Sequence, residues 1–350
     1  MARRVETLVF TTLVLVVFAT AAHAHVKWFY PYDVTIPPRP IGEVLNRGFI
    51  TFYLISMVAV YLFYCVDRFL WRRGVLRETL SGLIISQEQA FWLMRIATSI
   101  LFLSLFVIGL LGGPIYLTPE LTTEGWLVPV IQLALGIVPL FRPTVPLAGV
   151  GIIVLYAMAM SQFGVFHLLD YPVFLGIAGF FIFAGMKGQG WVTARYVAIF
   201  AATGITLGWG AIEKFAYPNW TYPLLDDMPY LLMGFPPELY MVIAGFIEFN
   251  LAFVLLSSAS VLSRLIAFAF NAIFILAIGI FGFIDAVGHL LIITVLIILA
   301  ARGPTPARDF LVLPDKAIPT EAYFMTGLWM LAMNLLFIAY YGLHTILIGS

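Results

Sequence analysis

Two kinds of polar side chain in this 350-residue sequence are placed to do chemistry. The first is histidine, at His23, His25, His167, His289 and His344. His167 and Asp170 are three residues apart, and Asp285 and His289 are four apart. Either spacing puts an imidazole and a carboxylate on one helix face. A carboxylate beside an imidazole orients a metal ligand or tunes a base. Nitrogen ligands suit borderline and soft metals. The expected metal set is therefore His25, His167, His289 and His344. Copper is the metal that an N-terminal His25 would chelate through amine and imidazole together. The competing reading is interfacial packing, where an imidazole can be half wet. Bis-histidine haem ligation would need His167 and His289 to face each other across the fold. The second kind is the ionisable group in apolar sequence: Glu213, Lys214 and Glu248, with Asn250 two residues further on. A carboxylate at membrane depth is costly and must face the interior, where it is often functional. Its structural alternative is a buried partner such as Arg195 or Asn271. Glu213 and Lys214, being adjacent, would pair with each other or with lipid headgroups. The expected catalytic set is Glu213, Lys214, Glu248, Asp285 and His289. No Gly-rich phosphate loop or HExxH occurs, and the single cysteine, Cys65, excludes an internal disulfide or a CxxC site.

The rest of the chain has to hold these groups in lipid. Hydrophobic residues make up 62% and charged residues 10% of the sequence, against about 25% charged in a soluble domain. Mean hydropathy is +1.03. Too few polar side chains exist to cover a water-facing surface, which excludes a soluble enzyme, a secreted disulfide scaffold and a disordered chain. Eighteen basic and eighteen acidic residues cancel, so nothing in the charge points to nucleic acid. The 31 phenylalanines and 12 methionines are core or lipid-facing material.

Apolar runs that could cross a bilayer fall near 48–66, 91–111, 126–141, 146–164, 172–186, 192–212, 239–257, 264–281, 286–301 and 322–346. Those at 126–141 and 286–301 need flanking residues to reach full length. With residues 25–47 outside, the turns inward hold Arg68, Arg72, Arg73, Arg77, Arg95, Arg142, Lys187, Arg195, Arg264, Arg302, Arg308 and Lys316. The outer side keeps only Lys27, Arg39, Arg47 and Lys214. This is the positive-inside pattern, and a missed helix would invert every later loop. All five histidines then fall on the outer side. Tyr30–Pro40 is an extended outer linker, and the Pro-, Tyr- and Trp-rich stretch Glu213–Glu238 is expected to form an interfacial cap.

Residues 1–24 resemble a signal peptide: Arg3 and Arg4, an apolar run from about Leu8 to Ala19, and Ala22-His23-Ala24 before the cut. Cleavage would leave His25 first; the alternative is an uncleaved anchor. The expected organisation is a signal peptide over 1–24 and an exported segment over 25–47. A first helix and inner loop cover 48–78, a four-helix unit 88–189, a second 190–302, and an inner loop with the last helix 303–350. The two units repeat weakly. VIQLALGIVPL, with Gln132, matches FIEFNLAFVLL, with Glu248; FGVFHLLD matches FGFIDAVG; Arg95 matches Arg195. Units of four helices have one orientation and would pack about an axis along the membrane normal.

The second unit carries a family resemblance. Arg195 opens its first helix, GWGAIEKFAYPNW closes it, Glu248 lies inside the second helix, and GHLLI, with Gly288 and His289, opens the last. Residues 190–302 resemble a DoxX-like four-helix membrane domain, with a degenerate copy before it. The resemblance implies a redox neighbourhood, including quinone-linked and thiol-stress chemistry, without fixing a reaction. The fold class expected is thus an all-α polytopic membrane protein. About ten transmembrane helices follow the signal peptide, as two DoxX-like four-helix units with one flanking helix on each side. The place expected is the bacterial inner membrane, with the mature N-terminus and the C-terminus both periplasmic. The first functional expectation is periplasm-facing redox or metal chemistry, with quinone or copper as cofactor and an exported redox protein as partner. A transporter or metal-handling permease is the second, and a membrane scaffold for a periplasmic partner the third.

Overall fold

The computed structural model describes residues 26–76 and 84–349. Residues 1–25, with the signal segment and His25, lie outside the described residues. Among the described residues ten helices carry the fold: α1 (Arg47–Arg73), α2 (Gln87–Gly112), α3 (Leu127–Ile137), α4 (Val145–Phe163), α5 (Pro172–Ala184), α6 (Gln189–Ala216), α7 (Pro237–Ser257), α8 (Leu262–Phe281), α9 (Phe283–Arg302) and α10 (Ile318–Leu347). Among the described residues there is no strand, only an isolated bridge from Ile115 to Thr122. The chain is an all-α polytopic membrane protein. Eight of the helices are long and apolar enough to cross a bilayer, and α5 and the α3 stretch Leu127–Leu140 are shorter.

The helix ends follow from local chemistry. Asn46 caps α1, its side chain accepting from the Phe49 amide at 3.0 Å. Gly74 ends α1 at φ +62, a left-handed conformation that costs glycine nothing. Ser86 and Gln89 form a reciprocal capping box at the start of α2. Proline in the first turn starts α4, α5, α7 and α10, where its missing N–H costs no helical bond. These signals correct one span length. The 286–301 run begins earlier, at Phe283 after Gly282, and makes a 20-residue helix. The 172–186 run is the short one: Pro172 and Gly185 confine α5 to 13 residues, about 20 Å of rise.

Helices α2 to α9 close into a ring. Each packs on the next, α5 meets α6, and α9 returns to α2. Within 88–189 the strongest pairs are first with second and third with fourth helix, and within 190–302 the same pairs recur. The flanking helices α1 and α10 pack on each other and lie against α7 and α6.

The two ends of the bundle differ in chemistry. At one end, Asp67 accepts from Ser258 Oγ at 2.8 Å, from the Ala259 and Ser260 amides at 3.0 Å each, and from Ser260 Oγ at 2.6 Å. Arg68 pairs with Asp67 at 2.5 Å, and Arg72 with Glu321 at 2.6 Å. Asp67, Arg68 and Glu321 are fully buried. This arginine-rich end ties α1, the α7–α8 turn and α10 together through paired charges, the condition under which buried ions are tolerated. The opposite end is closed by the segment before α1 and by residues 217–236. That stretch forms three helical turns, Pro218–Trp220, Tyr222–Asp227 and Pro229–Leu232. Leu224, Leu225 and Leu231 bury against Tyr240 and Met241, and the Tyr217 and Trp220 rings stack at 3.9 Å.

Candidate functional site

The segment Val26–Tyr32 descends into the cap end of the ring. Val26–Trp28 makes one 3-10 turn, closed by the Phe29 and Tyr30 amides donating to the Val26 carbonyl. That turn carries Lys27 inward, leaving its side chain 4% exposed. Lys27 Nζ donates to Asp170 Oδ2 and to Glu213 Oε2, each at 2.5 Å. It lies 4.8 Å from the Trp220 ring and 5.4 Å from the Tyr32 ring. A buried ammonium is costly unless paired. Two carboxylates and two π faces supply the pairing here. Burial alone would lower the Lys27 pKa; Asp170 and Glu213 more than offset it and raise it, so the side chain stays cationic. Asp170 precedes α5 and Glu213 closes α6, so one lysine joins the two halves of the ring.

Trp28 fills the space that Gly288 leaves. A Cβ on Gly288 would stand 2.2 Å from the Trp28 ring, so only glycine admits it. The indole packs on the His289 ring at 4.6 Å between centroids, with Phe274 on that imidazole at 4.7 Å. His289 Nδ1 lies 3.1 Å from Asp285 Oδ1 and 3.2 Å from the Asp285 carbonyl, both residues being fully buried. The expected pairing of Asp285 with His289 is therefore present. The expected pairing of His167 with Asp170 is not. His167 Nε2 meets the Tyr32 hydroxyl at 3.0 Å and lies 3.9 Å from Glu120, while Asp170 turns to Lys27. Glu120 accepts from Thr118 Oγ1 at 3.1 Å and from the Tyr171 hydroxyl, which in turn takes the Trp28 Nε1 proton at 3.4 Å. Burial pushes the Glu120 carboxyl up to about 7. Burial, and then the Lys27 charge, push the His167 imidazole down to about 3, leaving it neutral.

Glu213 and Lys214 do not pair with each other. Successive helix residues point about 100° apart. Glu213 therefore faces Lys27, and Lys214 faces α7, where it pairs with Glu248. Glu248 accordingly does not take Arg195 or Asn271 as its partner. Asn250 ties α7 to α1 and α10, donating to Ser56 Oγ at 2.9 Å and accepting from Trp329 Nε1 at 2.8 Å. Gln132, which the sequence pattern matched to Glu248, donates to the Ile115 carbonyl and, at 3.1 Å, to the Tyr116 carbonyl. It pins the α2–α3 loop.

Lys27, Glu213, Lys214, Glu248 and His289 surround one cavity of about 50 Å³. A water needs about 10–15 Å³ on this measure, so a few waters fit. Beside it runs an apolar groove of about 330 Å³ between α7, α8 and the 233–235 loop, with Lys214, Glu248 and Phe274 on both. Four of the five expected catalytic residues thus line one chamber, and Asp285 backs His289. The histidines do not converge. His167 belongs to the Tyr32–Glu120 group, His289 to Asp285, and His344 Nε2 meets the Val34 carbonyl at 3.2 Å. Among the described residues no three His, Cys, Asp or Glu side chains are placed to hold a metal. That corrects the expected set of His167, His289 and His344; His25 lies outside the described residues. Sequence reasoning also missed Lys27, Trp28, Tyr32 and Glu120 as site residues, and gave Asp170 to His167 where its partner is Lys27. The available signal was Lys27 itself, one lysine in the aromatic string VKWFYPY.

No protein-family model, curated protein or solved structure matches this chain.

Proposed function

We propose that this protein binds a quinone-type, lipid-soluble electron carrier in the α7–α8 groove and serves redox chemistry on the periplasmic side of the bacterial inner membrane. The observation that carries the reading is the shared wall. An apolar groove of ligand-binding size ends on the Lys214–Glu248 ion pair, and the same pair borders the polar chamber of Glu213 and His289. A quinone head would meet Lys214 as a donor to its carbonyl oxygen and Glu248 as a proton-holding group. A quinone supplies two-electron chemistry coupled to protons when bound. Glu248, the chamber, Glu213 and the His289–Asp285 pair line a route by which protons move between that head and the capped end. The resemblance of residues 190–302 to DoxX-like domains agrees with this reading. So does the recurrence of the same helix pairs in 88–189 and 190–302. The arginines gathered at the other end support the reading that the cap end faces outside.

The test is equilibrium binding of a short-chain ubiquinone analogue to the purified protein, with the same alkyl chain lacking the quinone ring as control. Ala244→Trp, which fills the groove, should abolish binding, and Glu248→Gln should weaken it. Equal binding of the ringless control, or undiminished binding by Ala244→Trp, would overturn the proposal.

A further inference from the structure

The arginine-rich end holds a second cavity, of about 800 Å³, between α1, α8 and the residues after α9. Among the described residues, Arg72, Arg264, Arg302 and Arg308 line it, with Asp309 as the single carboxylate. Two of these arginines are already neutralised. Arg72 pairs with Glu321 at 2.6 Å, and Arg308 with Asp309 at 3.1 Å.

The other two have no carboxylate partner among the described residues. Arg302 lies over the Tyr196 ring at 4.4 Å and donates to the Ile85 carbonyl at 3.4 Å. Arg264 Nη1 is buried with no hydrogen-bond partner. Its Nε and Nη2 lie flat on Gly303, where an added Cβ would come within 3.2 and 3.1 Å of them, and Gly303 holds φ +96. This packing leaves the guanidinium donors unspent. A buried unpaired donor is costly, more so when charged, and an anion removes that cost.

Arginine's planar fork matches phosphate oxygens in pairs. The wall also carries apolar side chains, Leu76 and Ile84, which are 40% and 51% exposed. Basic pockets between membrane helices with such rims suit lipid headgroups. We propose that this cavity binds a phosphate-bearing anion, with Arg264 and Arg302 holding its oxygens. An anionic phospholipid would supply that phosphate with its chains along the Leu76–Ile84 rim, and a soluble phosphate would supply it without them. The inference is independent of the quinone reading.

The test titrates the purified, detergent-solubilised protein with phosphatidylglycerol, with phosphatidylcholine of the same chain length and with inorganic phosphate, following thermal unfolding. Phosphatidylglycerol should stabilise at concentrations at least about fivefold below phosphatidylcholine. Arg264→Gln should raise the phosphatidylglycerol concentration needed by about fivefold, the equivalent of about 1 kcal/mol per arginine. Arg302→Gln should do the same; if losing the Tyr196 contact unfolds that variant, Arg264→Gln alone decides. Stabilisation by inorganic phosphate without preference for phosphatidylglycerol would assign the site to a soluble phosphate. Equal action of the two lipids with no effect of phosphate, or an unchanged response in Arg264→Gln, would overturn the proposal.

Discussion

Replacing Lys27 by methionine removes one buried cation and leaves two carboxylates facing the gap. Both Nζ contacts are 2.5 Å long and the side chain is 4% exposed, so solvent does not screen them. Deleting one partner of a buried ion pair costs about 3–5 kcal/mol. That loss falls on the docking of the segment before α1. Its reporters are backbone amides: Phe29 and Tyr30 donate to Val26, and Arg39 donates to the Ala216 carbonyl at 3.0 Å. Hydrogen exchange at these amides measures local opening. At about 1.4 kcal/mol per decade, Lys27→Met should speed it by roughly two to three and a half decades, while amides in the middle of α6 stay slow. The triple variant Lys27→Met, Asp170→Asn, Glu213→Gln leaves no charge unpaired and should recover most of the protection. Native exchange rates in Lys27→Met would refute the argument. So would a triple variant that exchanges as fast as the single one.

Three further outcomes are expected. The folded chain keeps a proton on Glu120 up to about pH 7, against an ordinary value of 4.5, and withholds one from His167 down to about pH 3, against 6.5. The first effect makes stability fall with rising pH and the second makes it rise, so between about pH 4.5 and 6.5 the slope of unfolding free energy against pH should become more positive in Glu120→Gln and more negative in His167→Gln than in the unaltered chain; the same slope in both variants would count against the assignment. Gly288→Ala puts a methyl group 2.2 Å from the Trp28 ring, so it should cost about 1–3 kcal/mol in thermal unfolding and red-shift tryptophan emission, and an unshifted spectrum would show that Trp28 is placed otherwise. Gln132→Leu strips the Ile115 and Tyr116 carbonyls of their donor and should destabilise by about 1–3 kcal/mol, with loop 113–126 becoming the first site of proteolysis.

The helices were legible because lipid leaves the sequence little choice. Each apolar run near the expected positions became a helix, and most of the arginines, Arg39 and Arg47 apart, fall at the inner turns. Periodicity cannot say how deep a short helix reaches, so the roles of 172–186 and 286–301 were exchanged by Pro172, Gly185 and Gly282. Local spacing gave Asp285 with His289 because both lie on one helix turn. It failed for His167 and Asp170, because long-range partners at Tyr32 and Lys27 outcompete a neighbour three residues away. It failed again for Glu213 and Lys214, whose partners lie on other elements. Of the buried Asp67–Arg68–Glu321 group, the sequence pointed only to Arg68, as one of the inner arginines. The partners of Asp67 and Glu321 are mostly backbone amides and serines, which carry no signal in composition.

The Lys27 contacts also set an order of events during synthesis. Lys27 emerges 143 residues before Asp170 and 186 residues before Glu213. At roughly 5–20 residues per second, the lysine waits on the order of 10–40 s for its second carboxylate. Through that interval its ammonium remains hydrated, since no earlier part of the chain offers the pair that would let it leave water. Docking of the leading segment is therefore a late step of biogenesis, possible only once α5 and α6 have been inserted side by side. A ribosome stalled before residue 213 would carry a chain whose leading aromatic string is still open to protease. Release past that point should close it.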